Sequence, residues 1–396
     1  MTENDPRTEA RELLTSLGAT PAGEWSAPGR VNLIGEHTDY NDGFVFPFAT
    51  PHRTHVAAAT RSDGRLRVIS TFDAVPVEVA IADLDALFPT VDGEHAVPEW
   101  SAYPLGVAWA LIQASGADPA TLTGADLAFA SDVPVGAGLS SSAAIEGSTA
   151  SALNELWDLG LDRVALAQVG RRAENEAVGA PTGIMDQMAS MLGEPDAATF
   201  LDCRSLQTEE VELGFAPAGL TLLVMDTNVK HAHSTGGYGE RRASCEKGAE
   251  LMGVPMLRDL SVADLERAAE VLDDVTFRRV RHIVTENQRV LDTVQTLRER
   301  GPRAIGPLLD ASHVSMRDDF EISVPELDLA VDTARAAGAI GARMTGGGFG
   351  GAAIALVETG DVDTVAHAVE KAFADAGYTA PTIFPVSPSA GARRDS

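Results

Sequence analysis

Cysteine and lysine are scarce in this chain. Of 396 residues only Cys203 and Cys245 are cysteine, and only three are lysine. Two cysteines are too few for a disulfide framework or a cysteine-based zinc site, so we expect reduced thiols in a cytoplasmic protein. Acidic residues outnumber basic ones by 58 to 30, a formal net charge of -28. A surface this negative repels polyphosphates and anionic lipids, so we expect no binding to nucleic acid or to membranes.

Several sequence signals are also missing. No apolar run approaches the roughly 20 residues of a membrane helix. The N-terminus, MTENDPRTEARELL, lacks the basic start and apolar core of a signal peptide. The GxxxxGK[ST] motif of P-loop proteins and the VAIK, HRD and DFG motifs of protein kinases are absent. If the chain binds ATP, we expect a different fold to do so.

The hydrophobic patterns predict an α+β protein of two domains. Short alternating or apolar runs between residues 24 and 82 predict strands, and longer periodic stretches predict helices at about 100–114 and 144–156. A buried-strand run, GLTLLVMDT, restarts the pattern after about residue 206. We therefore predict an N-terminal domain over 1–206, a C-terminal domain over 207–385 and a disordered tail over 386–396.

A glycine- and serine-rich loop, PVGAGLSSSAA at 134–144, runs directly into a predicted helix. Glycine lets backbone N–H groups approach a ligand closely, and a helix N-terminus offers unpaired donors at the positive end of the helix dipole. This combination predicts a site for an anion such as phosphate.

A second cluster, GRVNLIGEHTDYNDG at 29–43, places Arg30, Glu36, His37, Asp39 and Tyr40 within eleven positions. Such crowding beside an apolar strand indicates a ligand with several hydroxyl groups, or a catalytic centre. The final NDG is a good turn sequence. The spacing of the acidic and histidine side chains matches no zinc motif.

Two further segments carry chemistry. Asp186 lies between Met185 and Met188, where an apolar setting can raise the pKa of a carboxyl group and make it a base. Glu174 ends the preceding helical stretch. Five glycines within 346–351 indicate a backbone that folds tightly against a ligand or another loop.

Together these motifs resemble those of the galactokinases, a family of the GHMP kinase superfamily. Segment 29–43 resembles the galactokinase signature, 134–144 the superfamily's phosphate loop, and MTGGGFGGAAIAL its third motif. The similarity runs from about residue 24 to 385. It implies a two-domain fold, with an N-terminal ribosomal-S5-like mixed sheet, a C-terminal ferredoxin-like domain and an active site in the cleft between them.

The resemblance also implies an activity and a set of site residues. The activity is Mg²⁺- and ATP-dependent phosphorylation of the C1 hydroxyl of α-D-galactose, which gives galactose 1-phosphate and ADP. Asp186 would be the catalytic base, with Arg30 beside it, and Ser142 and Glu174 would bind Mg²⁺. The positions that match sugar contacts are Glu36, His37, Thr38, Asp39, Gly183, Asp186 and Tyr238. The positions that match ATP contacts are Ser70, Trp100, Tyr103, Gly136, Ala137, Gly138, Leu139, Ser140, Ser141 and Ser142.

Two alternatives stay open at this point. One is a GHMP kinase for another sugar, such as N-acetylgalactosamine, galacturonate or arabinose. The other is a non-catalytic sensor of galactose and ATP, which a disrupted SSSA segment would mark. Here Ser140, Ser141, Ser142 and Ala143 are intact and Asp186 is present, which favours an enzyme. We expect a monomer.

Overall fold

A computed structural model describes residues 5–90, 96–229 and 234–396. Within these ranges no helix is both long and apolar enough to cross a membrane. The strands are β1 Gly23–Asn32, β2 Phe44–Val45, β3 Pro47–Arg61, β4 Arg65–Ser70, β5 Val77–Ala80, β6 Gly124–Ser131, β7 Ala197–Asp202, β8 Gln207–Glu212, β9 Leu220–Asp226, β10 Gly341–Thr345, β11 Ala352–Glu358, β12 Thr382–Val386 and β13 Arg393–Arg394. The helices are α1 Pro6–Ser16, α2 Leu84–Leu87, α3 Glu99–Ser115, α4 Ser141–Leu156, α5 Arg163–Arg172, α6 Met185–Leu192, α7 Ser234–Met252, α8 Leu265–Val271, α9 Asp274–Arg300, α10 Gly306–Ser315, α11 Pro325–Ala336 and α12 Val362–Ala376.

The N-terminal half is built on a mixed sheet with the strand order β13-β1-β3-β6-β4-β5. Its pairs are antiparallel except β4 with β6, which run parallel. Helices α3, α4 and α5 pack with one face in the largest core, and α1 covers the other face through Ala10 and Leu14. The predicted mixed sheet is therefore confirmed.

The C-terminal half contains an antiparallel sheet with the order β10-β11-β9-β12. Successive side chains of β9 point to opposite faces, as strand geometry requires. Leu223 and Met225 enter a core with α7, α9 and α11, whereas Leu222 and Val224 enter another with Phe46 of the N-terminal half. Burial on both faces explains why the β9 sequence is continuously apolar.

The predicted boundary at residue 206 falls inside a hairpin. Strand β8 pairs antiparallel with β7, from Ala197 opposite Glu212 to Asp202 opposite Gln207, and β7 pairs with β2. Strand β8 therefore continues the N-terminal unit. We propose that the division of the chain follows β8, where the apolar pattern of β9 begins.

The prediction of a disordered tail over 386–396 is wrong. Strand β13 pairs with β1, and the carbonyl oxygens of Ala390 and Gly391 each accept a hydrogen bond of 2.7 Å from Arg53. Arg53 is 5% exposed, and Ala392 joins the main core. The polar composition of this segment concealed its role, because its backbone rather than its side chains satisfies a buried guanidinium.

This packing makes the tail a stability element. Deletion of residues 387–396 should lower the free energy of unfolding by about 3 kcal/mol, because it removes acceptors from a buried charge. Thermal and urea unfolding measure the change. Arg394→Ala, at an exposed position of the same strand, should have a much smaller effect. Equal midpoints for the truncated and full chains would contradict this role of the tail.

Candidate active site

A cleft between the two halves encloses a cavity of about 320 Å³. The end of β1, the loop before α4, the start of α6, helix α7 and the glycine turn after β10 contribute to its walls. The predicted residues in its lining are Arg30, Glu36, His37, Asp39, Gly136, Gly138, Leu139, Ser140, Ser141, Ser142, Glu174, Gly183, Asp186 and Tyr238. Segments far apart in sequence thus meet around one space.

Asp186 is held at the cavity by partners on both of its carboxylate oxygens. Arg30 reaches Oδ1 through Nε at 2.8 Å and through Nη2 at 2.7 Å. The Ser140 hydroxyl donates to Oδ2. Arg30 also donates from Nη1 to the carbonyl of Gly138 at 2.6 Å, so one guanidinium ties the carboxylate to the glycine loop. Asp186 lies in the first turn of α6 with 22% of its side chain exposed, and is open to a ligand.

The loop before α4 has the backbone of an anion site. Gly136 and Gly138 have φ values of 85° and 70°, and Ser140, just before the helix, has 56°. Glycine adopts this left-handed region without a steric cost. The free N–H groups of the first turn of α4 lie behind this loop, where they attract negative charge.

The glycine turn after β10 closes against that loop. A Cβ atom built on Gly346 would lie 3.2 Å from the carbonyl oxygen of Gly138. Gly346, Gly347 and Gly348 all line the cavity. The excess of glycine therefore permits close backbone packing at the site, as its sequence predicted.

Asp39 and Gly183 fit each other closely. Asp39 accepts hydrogen bonds from the backbone N–H of Tyr40 at 3.0 Å and of Met185 at 3.4 Å. Burial and the neighbouring Asp186 raise the pKa of Asp39 from 3.8 to about 6. A Cβ atom on Gly183 would lie 1.8 Å from Asp39 Oδ2, so only glycine fits there.

His37 is a neutral, fixed imidazole. Burial lowers its pKa to about 3. Its Nε2 lies 3.1 Å from the carbonyl oxygen of Gly347, and its Nδ1 lies 2.8 Å from the Tyr40 hydroxyl. A carbonyl only accepts, so Nε2 carries the proton and Nδ1 accepts from tyrosine. The ring also packs against Tyr238, with 4.8 Å between centroids.

Two predicted contact residues line neither this cavity nor the second one described below. Thr38 is fully buried, and its hydroxyl donates to the carbonyl oxygens of Gly35 at 2.9 Å and Phe44 at 2.6 Å. Ala137 is also fully buried and packs in the core between the two halves. Both residues shape the loops that carry the site.

Glu174 and Ser142 offer oxygen ligands for a cation. Glu174 accepts from the Thr182 hydroxyl at 2.7 Å and from the Gln187 amide at 2.8 Å. Burial and Asp186 raise the pKa of Glu174, and a hydrogen bond from Ser142 opposes this shift. A carboxylate beside a hydroxyl suits Mg²⁺, which usually keeps several non-protein ligands. Within the described residues no group of three or more His, Cys, Asp or Glu side chains forms a metal cluster.

A second cavity of about 620 Å³ adjoins the first. It contains the predicted ATP-contact residues Ser70, Trp100 and Tyr103. The two cavities share Ser141 and Ser142, the first residues of α4. A ligand that occupies both would pass over the helix N-terminus, with its apolar part among the aromatic rings.

Family models match three parts of the chain. They describe a galactokinase galactose-binding signature at residues 15–60, a GHMP kinase N-terminal domain at 102–194 and a GHMP kinase C-terminal domain at 293–375. The chain is 57% identical to the galactokinase of Streptomyces coelicolor over 387 residues, which cover 97% of this chain and 96% of that one. The chain belongs to the galactokinase family.

Solved structures agree with this membership. The crystal structure of Lactococcus lactis galactokinase complexed with galactose is 31% identical, has a TM-score of 0.90, and covers 98% of this chain and 99% of its own. Methanococcus jannaschii mevalonate kinase, at 16% identity and a TM-score of 0.63, covers 92% and 98% and shares the fold. The predicted two-domain GHMP kinase fold is confirmed.

Some residues of this galactokinase-family site have no predicted role. Thr182 and Gln187 hold Glu174, and Arg343 and Thr345 lie behind Glu36. Position within or beside a motif was the only sequence signal for them. Glu286, which contacts the backbone of Gly35, lies 251 residues away and gave no signal.

The raised pKa of Asp39 predicts a pH-dependent stability. The Asp39 carboxyl loses its proton near pH 3.8 in the unfolded chain but only near pH 6 in the folded protein. Its contribution to the free energy of unfolding therefore falls as pH rises through this window. Asp39→Asn removes the effect, and its stability relative to the unchanged protein should increase across that window and then level off. Thermal unfolding from pH 4 to 7.5 measures it, with the exposed Asp363→Asn as control. A constant difference would show that Asp39 has an ordinary pKa in the folded state.

Proposed function

We propose that the chain transfers the γ-phosphoryl group of ATP to the C1 hydroxyl of α-D-galactose and releases galactose 1-phosphate and ADP. One observation carries this proposal. The Asp186 carboxylate, held by Arg30 and Ser140, faces a cavity. This cavity lies between segment 29–43, which suits a ligand with several hydroxyl groups, and loop 134–144, which suits an anion. Membership of the galactokinase family supports the choice of reaction and of sugar. The monomeric state and the cytoplasmic location stay predictions.

Proton removal is the step assigned to Asp186. A sugar hydroxyl is a weak nucleophile, and phosphoryl transfer depends mainly on alignment and on neutralised charge. Asp186 accepts the C1 proton as the oxygen attacks the γ-phosphorus. Arg30 keeps this carboxylate in place and stabilises charge on the transferring group, since its guanidinium also contacts the glycine loop.

Different parts of the site bind the phosphates and the nucleoside of ATP. Ser142 and Glu174 would hold Mg²⁺, which neutralises phosphate charge when bound. Backbone donors of the loop 136–142 hold the phosphates at the start of α4. The second cavity, with Ser70, Trp100 and Tyr103, holds the nucleoside.

The loop that follows β1, residues 33–43, recognises the sugar. Asp39 and Glu36 present carboxylate oxygens to the cavity, and both are fixed by backbone N–H donors. A sugar epimeric at C4 would leave a buried acceptor without its hydroxyl donor. Such a loss produces strong discrimination, so we propose that galactose is preferred over glucose.

Asp186→Asn tests the reaction and its base together. We expect kcat with galactose to fall by about 10³-fold, because the amide cannot accept the proton. Galactose binding by calorimetry should persist, because Asn retains the shape of the side chain. An assay of ADP release with Mg²⁺ and ATP measures turnover, and Asp363→Asn serves as control.

The same assay on the unchanged protein decides between the alternatives. It compares galactose, glucose, N-acetylgalactosamine, galacturonate and arabinose. Turnover of only one of the other sugars would retain the mechanism and reject galactose. Binding of galactose and ATP without turnover would identify a sensor, and undiminished activity of Asp186→Asn would reject Asp186 as the base.

Glu174→Gln tests the cation site. Loss of the charged oxygen ligand should raise the Mg²⁺ concentration for half-maximal activity by at least about tenfold. Glu176→Gln is a matched control, since Glu176 lies in the same helical turn but pairs with Arg172 on the surface. Equal Mg²⁺ dependence of both variants would show that Glu174 binds no cation.

A further inference from the structure

A buried group of charges lies behind residues 33–43, the segment between β1 and β2 that we call the sugar loop. We call it the rear cluster and define it by Glu36, Arg343, Glu286, Arg289 and Ser312. Arg343 and Glu286 are fully buried, and Glu36 is 2% exposed. Of the five, only Glu36 lines the cavity. Two carboxylates and two guanidiniums balance in charge, as buried ions require.

Arg343 is the link between the two carboxylates. Its Nη2 lies 3.4 Å from Glu36 Oε1 and 3.9 Å from Glu286 Oε1. Its Nη1 donates to the carbonyl oxygens of Asn32 at 2.9 Å and Leu33 at 3.0 Å. One side chain of β10 therefore holds both the end of β1 and the carboxylate four residues beyond it.

Glu286, on α9, supports the same loop from the other side. Its Oε1 accepts from the backbone N–H of Gly35 at 2.9 Å and from the Ser312 hydroxyl at 2.6 Å, and Arg289 reaches Oε2 at 2.6 Å. Burial alone would raise its pKa, but Arg289, His282 and Arg343 outweigh burial and lower it to about 2. Glu286 is therefore ionised and keeps Arg343 in place.

The backbone around Glu36 depends on this close approach of α9. Gly35 has a φ of 105°, and a Cβ atom there would lie 2.8 Å from the Val290 side chain. His282 of the same helix lies 3.2 Å from the carbonyl oxygen of Glu36. The helix thus holds the residue before Glu36 and the carbonyl of Glu36 itself.

We propose that Glu286 and Arg343 are positioning residues that fix the Glu36 carboxylate for the sugar and so set sugar affinity from outside the cavity. The proposal rests on the proposed function and assigns a role to two residues that do not line the cavity. Their contacts described above are with the end of β1, the sugar loop, α9, α10 and β10. Their loss should therefore affect the sugar and leave the nucleotide unaffected.

Glu286→Gln is the first variant to measure. The amide keeps an acceptor for Gly35 but removes the charge that holds Arg343, so the Glu36 carboxylate can shift. We expect the KM for galactose to rise by about tenfold, because a small displacement of a binding group has a large effect. The KM for ATP and kcat should stay unchanged.

A double-mutant cycle with Glu36→Gln shows whether the effect passes through Glu36. In the Glu36→Gln background, Glu286→Gln should add little to the KM for galactose. The same factor in both backgrounds would overturn the proposal, as would a folded Glu286→Gln with an unchanged galactose KM. Failure of the unchanged protein to phosphorylate galactose would instead reject the proposed function.

Glu24→Gln separates positioning from general loss of stability. Glu24 is also a buried carboxylate, at 4% exposure, and also pairs with two arginines, Arg7 and Arg11. This variant should lower the melting temperature without changing either KM. If Glu286→Gln does not fold, Ser312→Ala removes one donor from Glu286 and should raise the galactose KM alone. Equal rises in both KM values would show a merely structural role.

Discussion

The ion pair between Arg30 and Asp186 is the contact on which the arrangement of the site depends. Arg30 comes from β1 and Asp186 from the first turn of α6, and the same guanidinium binds the carbonyl of Gly138 in the glycine loop. Three segments that lie far apart in sequence thus share one buried cation. Arg30 is 4% exposed. Its contacts therefore hold the proposed base and the loop 134–144 in a fixed relation to the end of β1.

The second constraint is excess negative charge. Asp39, Asp186, Glu174 and the fully buried Glu146 lie near one another. Burial and Asp186 raise the pKa of both Asp39 and Glu174. Burial and Glu174 likewise raise the pKa of Glu146. With a net charge of -28, the overall field opposes a polyphosphate. Local donors therefore have to outweigh it. The N-terminus of α4 and Arg30 supply positive charge at the cavity, and the proposed divalent cation at Glu174 would add to it.

The sequence was sufficient for those parts of the site that lie within contiguous motifs. The loop 134–144, the cluster 29–43 and the glycines of 346–351 each predicted close backbone approach or polar crowding, and the structure brings them to one cavity. The strand and helix patterns predicted an α+β chain of two domains, and the resemblance to the galactokinases implied the mixed N-terminal sheet. The sequence did not reveal pairings between distant segments. Glu286 meets Gly35 only through the packing of α9, and the tail 386–396 binds through its backbone, which composition does not report.

The C-terminal sheet explains how such distant contacts stay in register. Because β9 and β11 are buried on both faces, Val224 and Ile354 share one core with Val31 and Phe46 of the N-terminal half. The core between the halves therefore continues directly behind the sugar loop. Close-packed protein interiors deform little, which supports the proposal that α9 and β10 fix the carboxylate of Glu36. In the proposed function, sugar recognition therefore depends on both halves of the chain, although Glu36, Asp39 and Asp186 all belong to the first.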